Sequence, residues 1–297
     1  MLMKTFDRLI FFLFGRIIAR RFVVFGGVSA ALAHGEGLVM EGITPTYNRI
    51  DEHVKNKEHV ERILCSYIEL VRAMDATNKG HVAIKPSAFG IGLGSYVFAR
   101  TLRRFIEAVS DKSLEIEIDA EDRGTLFAVQ RVLNSLVFRL PKGIRFRPAF
   151  QMHLPENVRK ELITQYRILD MPVRIVKGSG LYDIGAPELN DKEVLARYAE
   201  TFQEQIAKKK HPNIATMRDR ELIDSLVAIA VRERVSFDRF TIQFLDGPIG
   251  HSLARVCVDS GCRVGCYVTF VDPSAPNEWK GYVRRRIAFG RKFVFGK

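Results

Sequence analysis

Short runs of β-branched and aromatic residues alternate, from about residue 40 onward, with longer stretches whose apolar positions recur three and four apart. The short runs predict strands at Gly42–Asn48, His81–Lys85, Leu114–Asp119, Ile144–Phe150, Val173–Lys177, Asn213–Thr216, Arg239–Leu245 and Val264–Phe270. The longer stretches predict helices at Glu58–Met74, Tyr96–Ala108, Arg123–Phe138, Asn157–Leu169, Asp191–Lys208 and Arg220–Arg232. Strands that regularly alternate with helices favour a closed (β/α)8 TIM-type barrel over an open sheet. No Pro/Gly-rich linker marks a second domain. The expected organisation is therefore a helical segment over residues 1–34 that packs on a single α/β barrel over residues 35–297.

The N-terminal segment has its own pattern. Phe6, Leu9, Ile10, Leu13, Ile17 and Ile18 can share one helical face, with Lys4, Arg8 and Arg16 elsewhere. Its apolar run is too short and too charged to span a bilayer, and no cleavage-type signal follows it. A docked terminal helix is expected, with peripheral membrane contact as the functional alternative.

Charge changes the picture next. The formal net charge of +12 invites an anionic partner. The excess is dispersed over Arg100, Arg103 and Arg104, Lys208 to Lys210 and Arg284 to Arg286, and no nucleic-acid-binding motif accompanies it. Anionic small molecules or a membrane surface are thus expected, and nucleic acid is not. Four cysteines suit a reducing, cytoplasmic setting. Cys257, Cys262 and Cys266 follow no common metal spacing and sit among valines, so they read as small buried hydrophobes.

Barrel active sites lie at the C-terminal ends of the strands. Those ends here read Asn48, Lys85, Asp119, Lys177, Thr216 and Tyr267, with Arg174 earlier in its strand. A lysine that closes a buried strand needs an anionic partner, either Asp119 at the next strand end or a ligand. Gly90-x-Gly92-x-Gly94 has its third glycine misplaced for a dinucleotide fingerprint. Arg174-Ile175-Val176-Lys177-Gly178 is better suited to phosphate, because the small residues beyond it let backbone amides approach. No nucleophile elbow, zinc pair or P-loop is present, which points to an organic cofactor. Near the C-terminus, Arg284, Arg285 and Arg286 repel one another and are best accommodated beside an anion.

The ordered set Val82-Ala83-Ile84-Lys85-Pro86-Ser87, Glu117-Ile118-Asp119-Ala120-Glu121-Asp122, Arg174-Ile175-Val176-Lys177-Gly178, Ala215-Thr216 and Tyr282-x-x-Arg285-Arg286 resembles proline dehydrogenase. The resemblance implies a distorted (β/α)8 barrel that binds FAD, oxidises proline to pyrroline-5-carboxylate and passes electrons to a quinone of the respiratory chain at the inner membrane. It implies that Lys85, Arg285 and Arg286 hold the substrate carboxylate and that Glu52 gates the site by pairing with Arg285. Asp119 would sit near flavin and substrate, Tyr267 over the substrate ring, and Leu245 in the pocket. Arg174, Lys177, Gly178 and Thr216 would contact the flavin or its phosphates. A separate enzyme would then oxidise the product, since no aldehyde dehydrogenase domain follows.

The chain also departs from the family. The family's strand-four glutamine falls on Pro148, and Gln151, three residues on, is expected to face away. Met217-Arg218 replace a His-Asn pair, Phe289 replaces a glutamate, and Tyr182 is displaced beyond Ser179-Gly180. These departures leave two alternatives open: a flavoenzyme for another cyclic amino acid, and a flavin-free barrel serving as a binding or regulatory protein.

Overall fold

The computed structural model describes residues 15–17, 19–51, 54–121, 123–178, 191–215, 220–273, 275 and 278–284. Its centre is a closed parallel barrel. The barrel strands are β2 (Ile43–Arg49), β3 (His81–Ile84), β4 (Leu114–Ile118), β5 (Ile144–Gln151), β6 (Arg174–Val176), β7 (Asn213–Ala215), β8 (Thr241–Leu245) and β9 (Arg263–Val271). Each pairs with its sequence neighbour, and β9 closes on β2 over seven residues, from Ile43 opposite Val264 to Arg49 opposite Phe270. All eight strands expected from the alternation are present to within two residues.

The helices α2 (Lys57–Ala73), α3 (Ser95–Ala108), α4 (Arg123–Val137), α5 (Glu156–Thr164), α6 (Asp191–Ala207), α7 (Arg220–Arg232) and α8 (Pro248–Asp259) follow β2 to β8 in turn. The expected Asn157–Leu169 helix is interrupted. Arg167 adopts a left-handed φ of 50°, and a separate 3-10 turn follows at Ile168–Asp170. A short strand β1 (Val24–Phe25) and a helix α1 (Gly27–Met40) were not expected. Helix α1 runs without a break across residue 34, and β1 pairs with Phe270 and Val271, beyond the point where β8 ends. The apolar run expected as the first helix lies almost wholly outside the described residues.

Alternation sorts the strand side chains into two environments. On β4, Leu114, Ile116 and Ile118 join the core between strands and helices, while Glu117 is fully buried within the barrel. Tyr67, Phe89 and Phe105 pack edge to face in that outer layer with centroids 5.5–6.1 Å apart. Cys257, Cys262 and Cys266 are buried in the same layer, and burial pushes their thiols up. The hydrophobic effect thus holds the barrel from outside and leaves its bore to polar residues.

A second, smaller cluster covers one side of the C-terminal mouth. Ala19, Val23, Ile50, Val271, Trp279 and Val283 pack together there, with Phe25 edge to face on Trp279 at 6.0 Å. It docks the helical residues 279–284, of which Arg284 is exposed.

Candidate functional site

The bore carries a connected polar network that rises to the mouth. Fully buried Glu117 accepts from Asn213 Nδ2 at 2.6 Å and from Gln243 Nε2 at 2.8 Å, and Gln243 also donates to Thr46 Oγ1 at 3.0 Å. Arg174, only 8% exposed, donates from Nε to Gln243 at 2.5 Å and from Nη1 to Asp119 Oδ1 at 2.9 Å, with Glu117 Oε2 3.4 Å from Nε. Burial works against the charge of Arg174, but Glu117 and Asp119 outweigh it and hold its pKa above the ordinary value. The arginine is a permanent cation clamped between two carboxylates.

Tyr267 completes this group. Its hydroxyl donates to Asp119 Oδ2 at 2.6 Å, and the Arg174 guanidinium carbon stands 4.7 Å from the centre of its ring. Burial first, and Asp119 second, push the phenol well above its usual pKa, so Tyr267 remains a proton donor. Leu245 is its register partner on β8. The structure therefore brings together Asp119, Arg174 and Tyr267, with Leu245 alongside. The bonds named engage Nε and Nη1 of Arg174; Nη2 carries two further donors in the same plane.

Lys85 follows β3, half-buried, and its backbone starts the turn that the glycine-rich segment continues. That turn is tied to the next strand exit. Glu121 accepts from Ser87 N at 2.7 Å and from Ser87 Oγ at 2.6 Å, while Asp119 N donates to Ile84 O at 2.9 Å. Burial raises the Glu121 pKa, and Lys85 acts against that rise.

Strand β6 ends at Val176, so the alternation that separates Arg174 from Lys177 stops between them. Lys177 is exposed, and its carbonyl accepts from His153 N at 3.2 Å. Gly178 has φ 83°, and a Cβ there would meet His153 Nδ1 at 3.0 Å and Gln151 Cβ at 3.3 Å. A side chain would close this corner of the mouth, whereas glycine leaves it to backbone and ligand.

One mouth residue was misread from sequence. Arg147 is the register partner of inward-facing Glu117 and bonds Glu115 on the same neighbouring strand, and Ala149 is the register partner of Arg174, so the odd-numbered residues of β5 face inward. Pro148 therefore faces outward. Gln151, buried and beside Gly178, stands at the inner strand exit with Nε2 3.5 Å from Ala120 O. The missed signal was Arg147: a buried arginine in β5 has counter-charges only inside the barrel, which sets the parity of the strand. Glu52, Thr216, Arg285 and Arg286 lie outside the described residues.

No protein-family model matches the sequence, and a comparison with curated proteins finds no match. Solved structures do match. Proline utilization A from Bdellovibrio bacteriovorus, inactivated by N-propargylglycine, aligns with a TM-score of 0.75 at 17% identity, over 91% of this chain and 32% of that one. Proline utilization A from Corynebacterium freiburgense aligns with a TM-score of 0.74 at 16% identity, over 92% of this chain and 31% of that one. A bifunctional proline utilization A protein gives 0.64 at 16% identity, over 90% of this chain and 30% of that one. The chain spans about a third of the length of these proteins. At such identity the likeness is one of fold: this chain carries a (β/α)8 barrel shared with proline utilization A.

Proposed function

We propose that the chain is an FAD-dependent oxidoreductase that oxidises proline or a closely similar cyclic amino acid. The observation that carries this reading is the Arg174–Asp119–Tyr267 group at the C-terminal mouth of a barrel shared with proline utilization A. The donor set suits a flavin. Arg174 offers a buried cation for the electron-rich edge of the ring, and Gln151 offers an amide at the strand exit where the resemblance calls for a glutamine. Lys177 and the Cβ-free corner at Gly178 suit the phosphates. When bound, the flavin would supply the acceptor for the hydride removed from the carbon beside the ring nitrogen.

The chain's own residues would then do binding and orientation. Lys85, with Arg285 and Arg286, would hold the substrate carboxylate, and Glu52 would gate the site through Arg285. Thr216 would join Lys177 at the cofactor. Tyr267, kept protonated by burial, would hold Asp119 in place and lie over the substrate ring, with Leu245 in the pocket. Fixing the carboxylate at a distance from the reacting carbon orients the ring without any covalent step. Electrons would leave to a quinone-type acceptor at a membrane. Among the described residues no helix is long and apolar enough to cross one.

The visible spectrum of the purified protein tests the proposal. We expect flavin absorbance, bleached by proline with oxygen excluded and lost irreversibly with N-propargylglycine. A colourless protein that FAD cannot reconstitute overturns the enzyme reading. Retained flavin that proline leaves oxidised redirects the substrate to another cyclic amino acid. Arg285→Met is expected to weaken substrate binding far more than flavin binding.

A further inference from the structure

Outside the bore, three side chains from distant parts of the chain converge between α1 and α8, beside the C-terminal end of β8. His34 Nε2 lies 2.9 Å from Asp246 Oδ2, and His251 Nε2 lies 2.7 Å from Asp246 Oδ1. One donor atom from each residue falls within 4.8 Å of the others. We propose that His34, Asp246 and His251 form a divalent transition-metal site, with Zn2+ the cation best matched to the donors. Nothing in the proposed redox chemistry uses these residues, so the two proposals stand apart.

The donor chemistry is that of a two-histidine, one-carboxylate set, which offers three protein ligands and leaves a position for water. In a tetrahedral zinc site with bonds of about 2.0–2.1 Å, neighbouring donors stand about 3.3 Å apart. Each imidazole nitrogen here faces its own carboxylate oxygen, His34 Nε2 at Oδ2 and His251 Nε2 at Oδ1, so an ion between the two nitrogens would be met by one oxygen or by both. The imidazole centres, 6.3 Å apart and tilted by 37°, flank the carboxylate without stacking on each other.

Two glycines bring the ligands together. Gly35 follows His34, and a Cβ there would fall 1.8 Å from Tyr47 Oη, so its absence lets α1 close on β2. Gly250 precedes His251, and a Cβ there would fall 2.1 Å from Leu245 O, so its absence lets α8 close on the β8 exit. Each histidine thus stands beside the residue that draws its helix inward. Asp246 is held from behind, with its N–H donating to Tyr267 O at 3.2 Å. It is 8% exposed, whereas His34 and His251 are 34% and 29% exposed. The carboxylate is buried and fixed while the imidazoles face the route of entry.

A bound ion would link α1, the β8 exit and α8, and through Asp246 it would stiffen the backbone next to Leu245 and Tyr267. The competing reading is a carboxylate that simply holds two imidazoles by hydrogen bonds.

Calorimetric titration of the chelator-treated full chain with Zn2+, and Co2+ absorption in flavin-stripped protein, separate the two. We expect one equivalent bound in this site and a Tm raised by about 5 °C at Zn2+ about 100 times its Kd. His34→Ala and His251→Ala should each weaken binding by at least about 10-fold, the lower cost of losing even an outer-shell partner. Both variants change half-buried side chains, and circular dichroism checks their folding. His59→Ala, in a separate group with Asp51 and Glu278, should leave the binding unchanged. A folded wild-type chain that takes up no Zn2+, or uptake equal in wild type, His34→Ala and His251→Ala, overturns the proposal. So does uptake lost only in His59→Ala.

Discussion

The two ends of the barrel bury arginines in opposite styles. At the mouth side, Arg174 meets Glu117, Asp119 and Gln243 and lies over Tyr267, so a single cation on β6 is held from three other strands, β4, β8 and β9. At the N-terminal floor, Arg145, Arg147 and Arg263 share a cavity of about 170 Å3 with Glu115, His81 and His211. Glu115 is the acidic member of that group. Arg147 bonds Glu115 and the carbonyl of His211, yet its Nε has no hydrogen-bond partner among the described residues. Arg145 and Arg263 are exposed. The mouth balances charge by directed bonds, whereas the floor leaves its excess to water. Directed bonds fix positions, and that is what a site requires.

The largest break in this comparison comes from removing the central cation. Arg174→Met would leave Glu117 and Asp119 buried without their cationic partner and should cost roughly 3–5 kcal/mol, a fall in Tm of roughly 5–8 °C by thermal denaturation. Arg147→Met should cost about 1–3 kcal/mol, because water reaches the groups it leaves behind. Equal losses at both ends would remove the distinction. Next in size, Tyr267→Phe deletes one hydrogen bond to Asp119 and should cost about 1.5–3 kcal/mol with the fold intact.

Acid and base sharpen the contrast. His211 is held down to about 4, first by burial and then by Arg147. The unfolded chain therefore binds more protons between pH 6.5 and 4, and stability present above that window is lost as pH falls through it. His211→Asn should flatten this acid limb. Glu278, beside the mouth, is pushed up to about 8, first by burial and then by Asp51, with Asp272 adding to the rise and Arg49 opposing it. His59 also faces it, with Nε2 3.3 Å from Glu278 Oε1. Here the folded chain binds more protons between pH 4.5 and 8, so stability is lost as pH rises through that window. Glu278→Gln should remove that slope, as read from urea midpoints across pH. The smallest stability effect is expected for Gln151→Ala, about 0.5–1.5 kcal/mol for the loss of one long hydrogen bond. Under the proposed function it should nonetheless shift the flavin spectrum.

Much of this was legible without coordinates because it is local. Alternation on β4 puts Ile116 and Glu117 on opposite faces by period alone, and Lys85 and Asp119 could be seen as polar exits of apolar strands. Helices α1 and α8 were missed for a physical reason. Helix α1 carries His34, Gly35, Glu36 and Gly37 mid-length, and α8 is short and begins Pro248-Ile249-Gly250, so neither shows a long apolar stripe. The reading of β5 failed through parity, since Pro148 and Gln151 were correctly placed on opposite faces and the inward face was assigned to the wrong one.

Sequence by itself determined the order of elements, the two-sided strands and the clustering of polar residues at strand exits, all of which follow from periods of 2 and 3.6. Tertiary structure alone decided that Asp119 meets both Arg174 and Tyr267, from 55 and 148 residues away, and that His34 and His251 converge on Asp246. Those meetings depend on how β9 closes on β2, which sets the strand register around the whole barrel. Register is a property of closure, and no local period encodes it.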